Sequence, residues 1–228
     1  MDQAQLDNPI WHSLNGAHAG LAQGRGGVRW YPPSFTPFIA VASVDTALDR
    51  AAVARDCDTA GACFLGVLPR ALPEGWRFHS RSAVHQMLYA PAQPPAVDES
   101  RCSVLGIGQR PEMLALARLA FPDFFRERTA ELGTYLGIFQ DGRLAAMAGE
   151  RMALDGLREI SGVCTHPDHT GRGHARLLTH ALLHRHRKQG LNTFLHVSEG
   201  NVAARGLYQA MGFAVRTTLE MGRVERIA

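Results

Sequence analysis

The chain has 228 residues, a formal net charge of +3, 46% hydrophobic residues and 20% charged residues, an ordinary composition for a globular protein. The weak, dispersed positive charge permits an anionic ligand and argues against a nucleic-acid partner. No apolar run approaches a membrane span, the N-terminus lacks the pattern of a signal peptide, and the four cysteines form no CxxC pair. We therefore expect a cytoplasmic protein with reduced thiols and no membrane partner.

The N-terminal part of the chain contains strand-like and helical segments without recognisable chemistry. A strand-like run lies within residues 30–43, and apolar residues at helical spacing predict a helix at 46–57. The segment CFLGVLP predicts a short strand at 63–69, and residues 82–90 fit either a helix or a strand. Together these patterns predict an α+β region.

A proline-rich stretch, APAQPPAV at residues 90–97, is the clearest break in the chain, and an acidic pair follows it. We predict a boundary there. It separates an N-terminal α+β region, residues 1–97, from a larger domain, residues 98–228.

Beyond this boundary, strand and helix patterns alternate, which predicts an α/β (α+β) fold with a mixed sheet. A strand at 103–108 is followed by a helix that Pro111 opens. Two β-like runs then meet at residues 140–142, where Gln-Asp-Gly is typical of a hairpin. The remaining elements are predicted as strand, helix, strand, helix and strands at residues 158–167, 172–189, 192–198, 201–212 and 213–224.

The turn TGRGHAR, which precedes the first of these two helices, predicts a phosphate site. Gly171 and Gly173 allow close approach of the backbone, and the first N–H groups of a helix have no partner within it. Ala175 keeps the next position small, while Arg172 and Arg176 add positive charge. The spacing excludes a Walker loop, which needs Lys before Ser or Thr, and a dinucleotide fingerprint, which needs a third glycine at Arg176. A plain glycine turn explains the pattern equally well.

Residues 163–176 resemble motif A of the GNAT superfamily of acyl-CoA-dependent N-acyltransferases, Q/R-x-x-G-x-G/A after a strand, with Thr170 in place of the usual Gln or Arg. The segment NVAARGLYQAMGF, residues 201–213, resembles the family's N-x-x-A-x-x-x-Y-x-x-x-G-F segment. Residues 159–178 are especially similar to the branch that includes the C-terminal domains of glycine N-acyltransferase-like proteins. The resemblance implies a mixed central sheet flanked by helices. It also implies that residues 1–97 shape the acceptor site or form a degenerate GNAT-like half.

The resemblance implies acetyl-CoA as cosubstrate, with its pantetheine arm along the backbone of Val163, Cys164 and Thr165. Asn201 is implied to contact the pantetheine or to order the start of its helix. The residues implied to hold the pyrophosphate are Gly171, Arg172, Gly173, His174, Ala175 and Arg176.

Acyl transfer to an amine requires a base, a stabilised oxyanion and an acid for the leaving thiolate. The resemblance implies Tyr208 as the acid and a backbone N–H within 163–165 as the oxyanion donor. Two residues remain open as the base, Glu159 and His196, singly or together. Each could instead have a purely structural role, Glu159 as an ion-paired carboxylate on a strand and His196 as a hydrogen-bonded core histidine.

Two other chemistries fit the sequence less well. Cys164 has no evident His–Asp partnership for covalent catalysis. No metal is expected, because HExxH is absent and basic residues surround the histidines. Those histidines are His166, His169, His174, His180, His184 and His186.

The resemblance therefore implies an N-acetyltransferase that acts on a small-molecule or peptide amine. Two alternatives remain, a non-catalytic acyl-CoA-binding sensor and an amino-acid N-acyltransferase that uses a longer acyl-CoA. The identity of the acceptor and the oligomeric state, a homodimer included, stay open.

Overall fold

A mixed eight-stranded sheet lies at the centre of the computed structural model, which describes residues 3–48, 61–121 and 124–227. Two short strands precede it and pair with each other, β1 (Val28–Trp30) and β2 (Ile39–Val41). The strands of the large sheet are β3 (Cys63–Leu65), β4 (Trp76–Tyr89), β5 (Ser103–Val104), β6 (Tyr135–Gln140), β7 (Arg143–Leu154), β8 (Leu157–Thr165), β9 (Asn192–Ser198) and β10 (Phe213–Arg226). The α-helices of the described residues are α1 (Pro9–Asn15), α2 (Arg110–Ala120), α3 (His174–Lys188) and α4 (Val202–Ala210).

The order of strands across the sheet is β3-β10-β4-β9-β8-β7-β6-β5, and neighbours run antiparallel except β8 and β9. Helix α3 connects this parallel pair, because parallel strands need a crossover connection. The two strands pair from Leu157 opposite Asn192 to Ile160 opposite Leu195. The described residues of β8 beyond Ile160 pair with β7 alone, so β8 and β9 separate in the second half of β8.

A β-bulge in β8 accompanies this separation. Ser161 pairs with Gly149 and Cys164 with Met147, so two residues of β8 face the single residue between these partners on β7. One of the two is Gly162, whose φ of +64° is a backbone conformation that glycine adopts far more readily than other residues. Bulges bend the strand that carries them, and this bulge lies just beyond the last residue of β8 that pairs with β9.

The large sheet crosses the boundary expected between residues 97 and 98. Strands β3 and β4 belong to the N-terminal region, and β4 lies between β10 and β9 in the sheet. The pairing of β4 with β10 runs from Tyr89 opposite Phe213 to Trp76 opposite Arg226. The ambiguous segment at 82–90 is therefore a strand. Most of the helix expected at 46–57 lies outside the described residues.

The predicted hairpin is confirmed, because β6 and β7 are joined through Asp141 and Gly142, whose φ values are +50° and +75°. Positive φ at both turn residues matches the twist of the flanking strands. The strand expected at 103–108 is wrong beyond residue 104. There the chain turns, and the Gln109 side chain accepts a hydrogen bond from the Gly106 N–H at 2.8 Å.

Both faces of the sheet are buried at β9. Phe194 and Leu195 are neighbours on β9, so their side chains point to opposite faces. Phe194 packs in a cluster with Ile10 of α1, whereas Leu195 packs with Leu178 and Leu182 of α3. The expected mixed sheet flanked by helices is thus confirmed. No helix among the described residues combines the length and the apolar content needed to cross a bilayer.

We expect Gly149→Ala to lower the free energy of unfolding by about 1–3 kcal/mol, because it overpacks a full core. A Cβ at Gly149 lies 2.3 Å from the Tyr135 ring, which covers this glycine from the opposite position on β6. Urea unfolding measures the change. The matched control is Gly206→Ala in α4, where a Cβ meets nothing within 4 Å and should raise stability by about 0.5–1 kcal/mol. Equal effects from the two substitutions would contradict the close packing of Tyr135.

Candidate active site

A cavity of about 270 Å³ opens where β8 and β9 separate. One part of its lining comes from β8, β9 and α4, including Ser161, His196 and Tyr208. The other part comes from elsewhere in the chain and includes Phe38 and Phe125. The cavity between the separating ends of β8 and β9 thus brings together residues from distant parts of the sequence.

Glu159 is fully buried beside this cavity in an ionic network. Both of its oxygens bind Arg151, at 2.6 Å to Nη2 and 3.0 Å to Nε, and Oε1 also lies 2.8 Å from Nδ1 of His196. The N–H of Met152 donates a further bond at 3.2 Å. Burial by itself raises the pKa of Glu159, but Arg151 and His196 outweigh it and bring the pKa to about 2. This carboxylate stays ionised and has little tendency to take a proton at neutral pH.

The hydrogen bonds of His196 define its tautomer. Because Glu159 is ionised, Nδ1 of His196 donates to it, which leaves the lone pair on Nε2. Nε2 lies 3.0 Å from the Gln86 amide nitrogen, which also donates to the carbonyl of Leu6. The Gln86 oxygen accepts from Arg216 at 2.9 Å, and this fixes the orientation of the amide. His196 therefore lines the cavity with its acceptor atom, Nε2, held by Gln86.

Tyr208 reaches the cavity from α4. The residue is 8% exposed, and its ring packs edge-on against Phe213 at 5.8 Å between centroids. Burial raises the pKa of Tyr208 to about 12, so the phenol keeps its proton across the ordinary pH range.

The glycine-rich turn has the backbone that the sequence predicts for a phosphate site. Gly171 and Gly173 have φ values of +74° and +77°, and α3 begins directly after them. A Cβ on either glycine meets nothing within 4 Å, so the side of the turn is open. Thr170, the residue that departs from the family motif, donates its hydroxyl to the carbonyl of Pro167 at 3.0 Å and stays within the turn.

The remaining residues expected to hold the pyrophosphate follow the turn into α3. Arg172 and Arg176 are exposed, and Ala175 is half-buried. His174 is buried, and burial lowers its pKa, so its imidazole is neutral. It therefore offers a backbone N–H and no positive charge.

The segment Val163, Cys164 and Thr165 begins in the bulge and continues beyond it, where β8 has left β9. Cys164 and Thr165 pair with Met147 and Ala146 of β7, which leaves their other edge toward the separation. Burial raises the pKa of the Cys164 thiol to about 12, so it remains protonated and is a poor nucleophile.

Asn201 caps α4, since its side-chain oxygen accepts a hydrogen bond from the Ala204 N–H at 3.1 Å. Asn201 also lines the cavity, so the cap and a ligand contact are compatible. Among the six histidines of the cluster, His186 is bonded to Thr193 and Glu150, and His184 to the Pro95 carbonyl.

Three residues of the site, Arg151, Gln86 and Tyr135, are not among those expected from the sequence. A charged residue within the apolar run of β7 is a signal for Arg151, because buried charges need partners. The strand patterns around Gln86 and Tyr135 contain no comparable signal. Their positions follow from the strand order of the sheet.

The FR47-like protein family model matches residues 135–221. Among solved structures, a GNAT-family protein from Novosphingobium aromaticivorans DSM 12444 is 32% identical, with a TM-score of 0.87 over 97% of this chain and 98% of its own. A GCN5-related N-acetyltransferase from Kribbella flavida is 18% identical and similar in fold, with a TM-score of 0.55 over 94% of this chain and 95% of its own. No curated protein matches the chain in sequence.

Proposed function

The chain belongs to the GNAT family, and from this premise we propose that it is an N-acetyltransferase that transfers an acetyl group from acetyl-CoA to a primary amine. The observation that carries the proposal is the separation of β8 from β9 beside an open glycine turn, with a protonated phenol in the cavity between them. Membership of the family supports acyl transfer in general. The geometry supports the assignment of individual roles.

The described residues fit acetyl-CoA at two places. The edge of residues 163–165 that has left β9 offers backbone groups to the pantetheine amides, as an added strand would use them. The N–H groups from Gly171 to Arg176 and the charges of Arg172 and Arg176 suit the pyrophosphate. When bound, acetyl-CoA supplies the thioester acyl group and the thiol that leaves.

We assign the base to His196, with Glu159 as its partner carboxylate. Glu159 holds the proton on Nδ1 and stabilises the imidazolium that forms when Nε2 takes a proton from the attacking amine. The bond from Gln86 to Nε2 has to be exchanged for the bond to the amine. Both candidates for the base thus take part in this proposal, His196 as the base itself and Glu159 as the carboxylate that supports it.

Tyr208 holds the proton that the leaving thiolate needs, since its raised pKa keeps the phenol protonated until the thiolate forms. Backbone N–H groups of residues 163–165 are the donors we assign to the oxyanion. In this arrangement the amine attacks directly, without a covalent enzyme intermediate.

The test is to incubate the pure full-length chain with acetyl-CoA and a set of primary amines, and to follow thiol release. Amine-dependent release of CoA with an acetylated product by mass spectrometry supports the proposal. Tight CoA binding without turnover on any amine would instead favour an acyl-CoA sensor. A strong preference for acyl-CoAs longer than acetyl, with amino acids as acceptors, would favour an amino-acid N-acyltransferase.

We expect Gly173→Glu to weaken CoA binding about 100-fold, because it places a negative charge where the pyrophosphate is proposed to lie. Isothermal titration calorimetry with CoA measures the effect. The matched control is Gly142→Glu in the β6–β7 turn, a glycine with a φ of +75° and open space around its Cβ position. The two glycines have nearly equal φ values, so positive φ burdens both variants alike. Unchanged CoA affinity in Gly173→Glu would remove the turn from the binding site.

A further inference from the structure

The cavity lining that does not belong to β8, β9 or α4 is mostly apolar and aromatic. Phe38 and Phe124 face each other with ring centroids 6.0 Å apart, and Phe125 packs edge-on against Tyr135 at 5.6 Å. Phe121 completes this aromatic wall, which we define as Phe38, Phe121, Phe124, Phe125 and Tyr135. Such a wall binds hydrocarbon groups by excluding water.

The Tyr135 side chain extends from β6 over β7 toward β8 and so reaches the cavity. It pairs with Gly149 on β7, which in turn pairs with Ser161 on β8. Its ring lies over Gly149, where a Cβ would be 2.3 Å away, and its hydroxyl lies 3.2 Å from the Cβ position of Gly162. Two glycines thus make room for one side chain whose polar end reaches the β8 bulge.

The Tyr135 hydroxyl is buried and has no hydrogen-bond partner among the residues that the structure describes. Buried polar groups in native proteins are generally paired, so an orphaned hydroxyl at the edge of a cavity indicates a partner that enters the cavity. Burial also raises the pKa of Tyr135, which keeps the group a neutral phenol.

The charges around the cavity favour a neutral ligand. Among the described residues its lining contains no Asp or Glu, and its cation, Arg151, is paired with Glu159. A second ammonium group on the acceptor would therefore find no counter-charge among the described lining residues. Burial against the aromatic wall favours the neutral form of the reacting amine, which is the nucleophilic form.

We propose that the acceptor is a small primary amine whose remaining part is apolar, aryl or branched alkyl. Its hydrocarbon group packs on the aromatic wall, and the Tyr135 hydroxyl oxygen accepts a hydrogen bond from the amine N–H. The lone pair of the amine then stays free to attack. This inference rests on the proposed acetyltransferase activity and specifies the acceptor that the activity uses.

The experiment measures kcat/KM by thiol release for 2-phenylethylamine, isopentylamine, putrescine and ethanolamine with the full-length chain. We expect the two apolar amines to exceed the other two by about tenfold or more, which corresponds to burying a small hydrocarbon group. In Tyr135→Phe, kcat/KM for the apolar amines should fall about tenfold. The KM for acetyl-CoA and the Tm should stay unchanged, because the hydroxyl bonds to none of the described residues.

Tyr89→Phe is the control, since the Tyr89 hydroxyl is also buried without a partner in the described part of the chain, and Tyr89 does not line the cavity. A preference for putrescine or ethanolamine, or unchanged kinetics in Tyr135→Phe, would overturn the inference while leaving acetyl transfer intact. A lower Tm in Tyr135→Phe would assign the hydroxyl a structural role and also overturn it. Failure of every amine in the presence of bound CoA would overturn the acetyltransferase proposal and this inference with it.

Discussion

Tyr208→Phe should lower the turnover number about 100-fold and leave CoA affinity nearly unchanged. The substitution removes one oxygen atom and keeps the ring, which packs edge-on against Phe213 in the wild-type chain. Packing and ligand contacts of the ring are therefore retained, and only the proton for the leaving thiolate is lost. Steady-state kinetics under saturating acetyl-CoA and calorimetry with CoA measure the two quantities separately.

The control for this variant is Tyr89→Phe, because Tyr89 packs edge-on against the same Phe213, at 5.2 Å, and lies outside the cavity lining. It should turn over at the wild-type rate. The pKa of Tyr208, about 12 against an ordinary 10, adds a second check, since the acid stays protonated well above pH 10. A loss of turnover centred near pH 10 that vanished in Tyr208→Phe would contradict the raised pKa.

Some parts of the site can be predicted from the sequence because their conformation depends only on one short segment. The φ values at Gly171 and Gly173 and the cap at Asn201 are local requirements of a turn and a helix start, so residue identity reveals them. The hairpin at residues 140–142 is local in the same way. The fold class follows because the alternation of strands and helices limits the topologies that can form a sheet.

The parts that do not follow from the sequence arise from strand order. Gln86 meets His196 because β4 lies beside β9, although the two residues are 110 positions apart. Tyr135 reaches the bulge of β8 only because two glycines on other strands leave room for its ring. The proline-rich stretch at 90–97 is a true break in the sequence, yet the sheet continues across it. Local composition carries no information about such pairings.

Glu159→Gln should lower the free energy of unfolding at neutral pH by about 3–5 kcal/mol, because it leaves the buried Arg151 without its counter-charge. The Arg151 side chain is 13% exposed and Glu159 is 0% exposed, so water screens the pair little. The variant should also slow turnover, since Nδ1 of His196 loses its anionic acceptor. Urea unfolding and steady-state kinetics measure the two effects.

Glu150→Gln is a matched control, because Glu150 is a second buried carboxylate, bonded to His186 at 3.1 Å, outside the cavity lining. It should also destabilise the protein, but the folded variant should turn over normally. If Glu159→Gln slowed turnover no more than Glu150→Gln, Glu159 would not be the partner carboxylate of the base His196. Replacing both partners, as in Arg151→Met with Glu159→Leu, should recover part of the lost stability, because no uncompensated charge remains buried.

The same pair contributes to the response of stability to acid. The pKa of Glu159 is about 2 in the folded chain and has an ordinary value of 4.5, so the folded state favours the ionised form. The stabilisation is fully present above pH 4.5 and is lost as the pH falls toward 2. The stability difference between the wild type and Glu159→Gln should therefore be constant from neutral pH down to about pH 5 and shrink below it. A difference that persisted unchanged to pH 3 would show that the Glu159 carboxylate contributes through shape and hydrogen bonding, with no contribution from its charge.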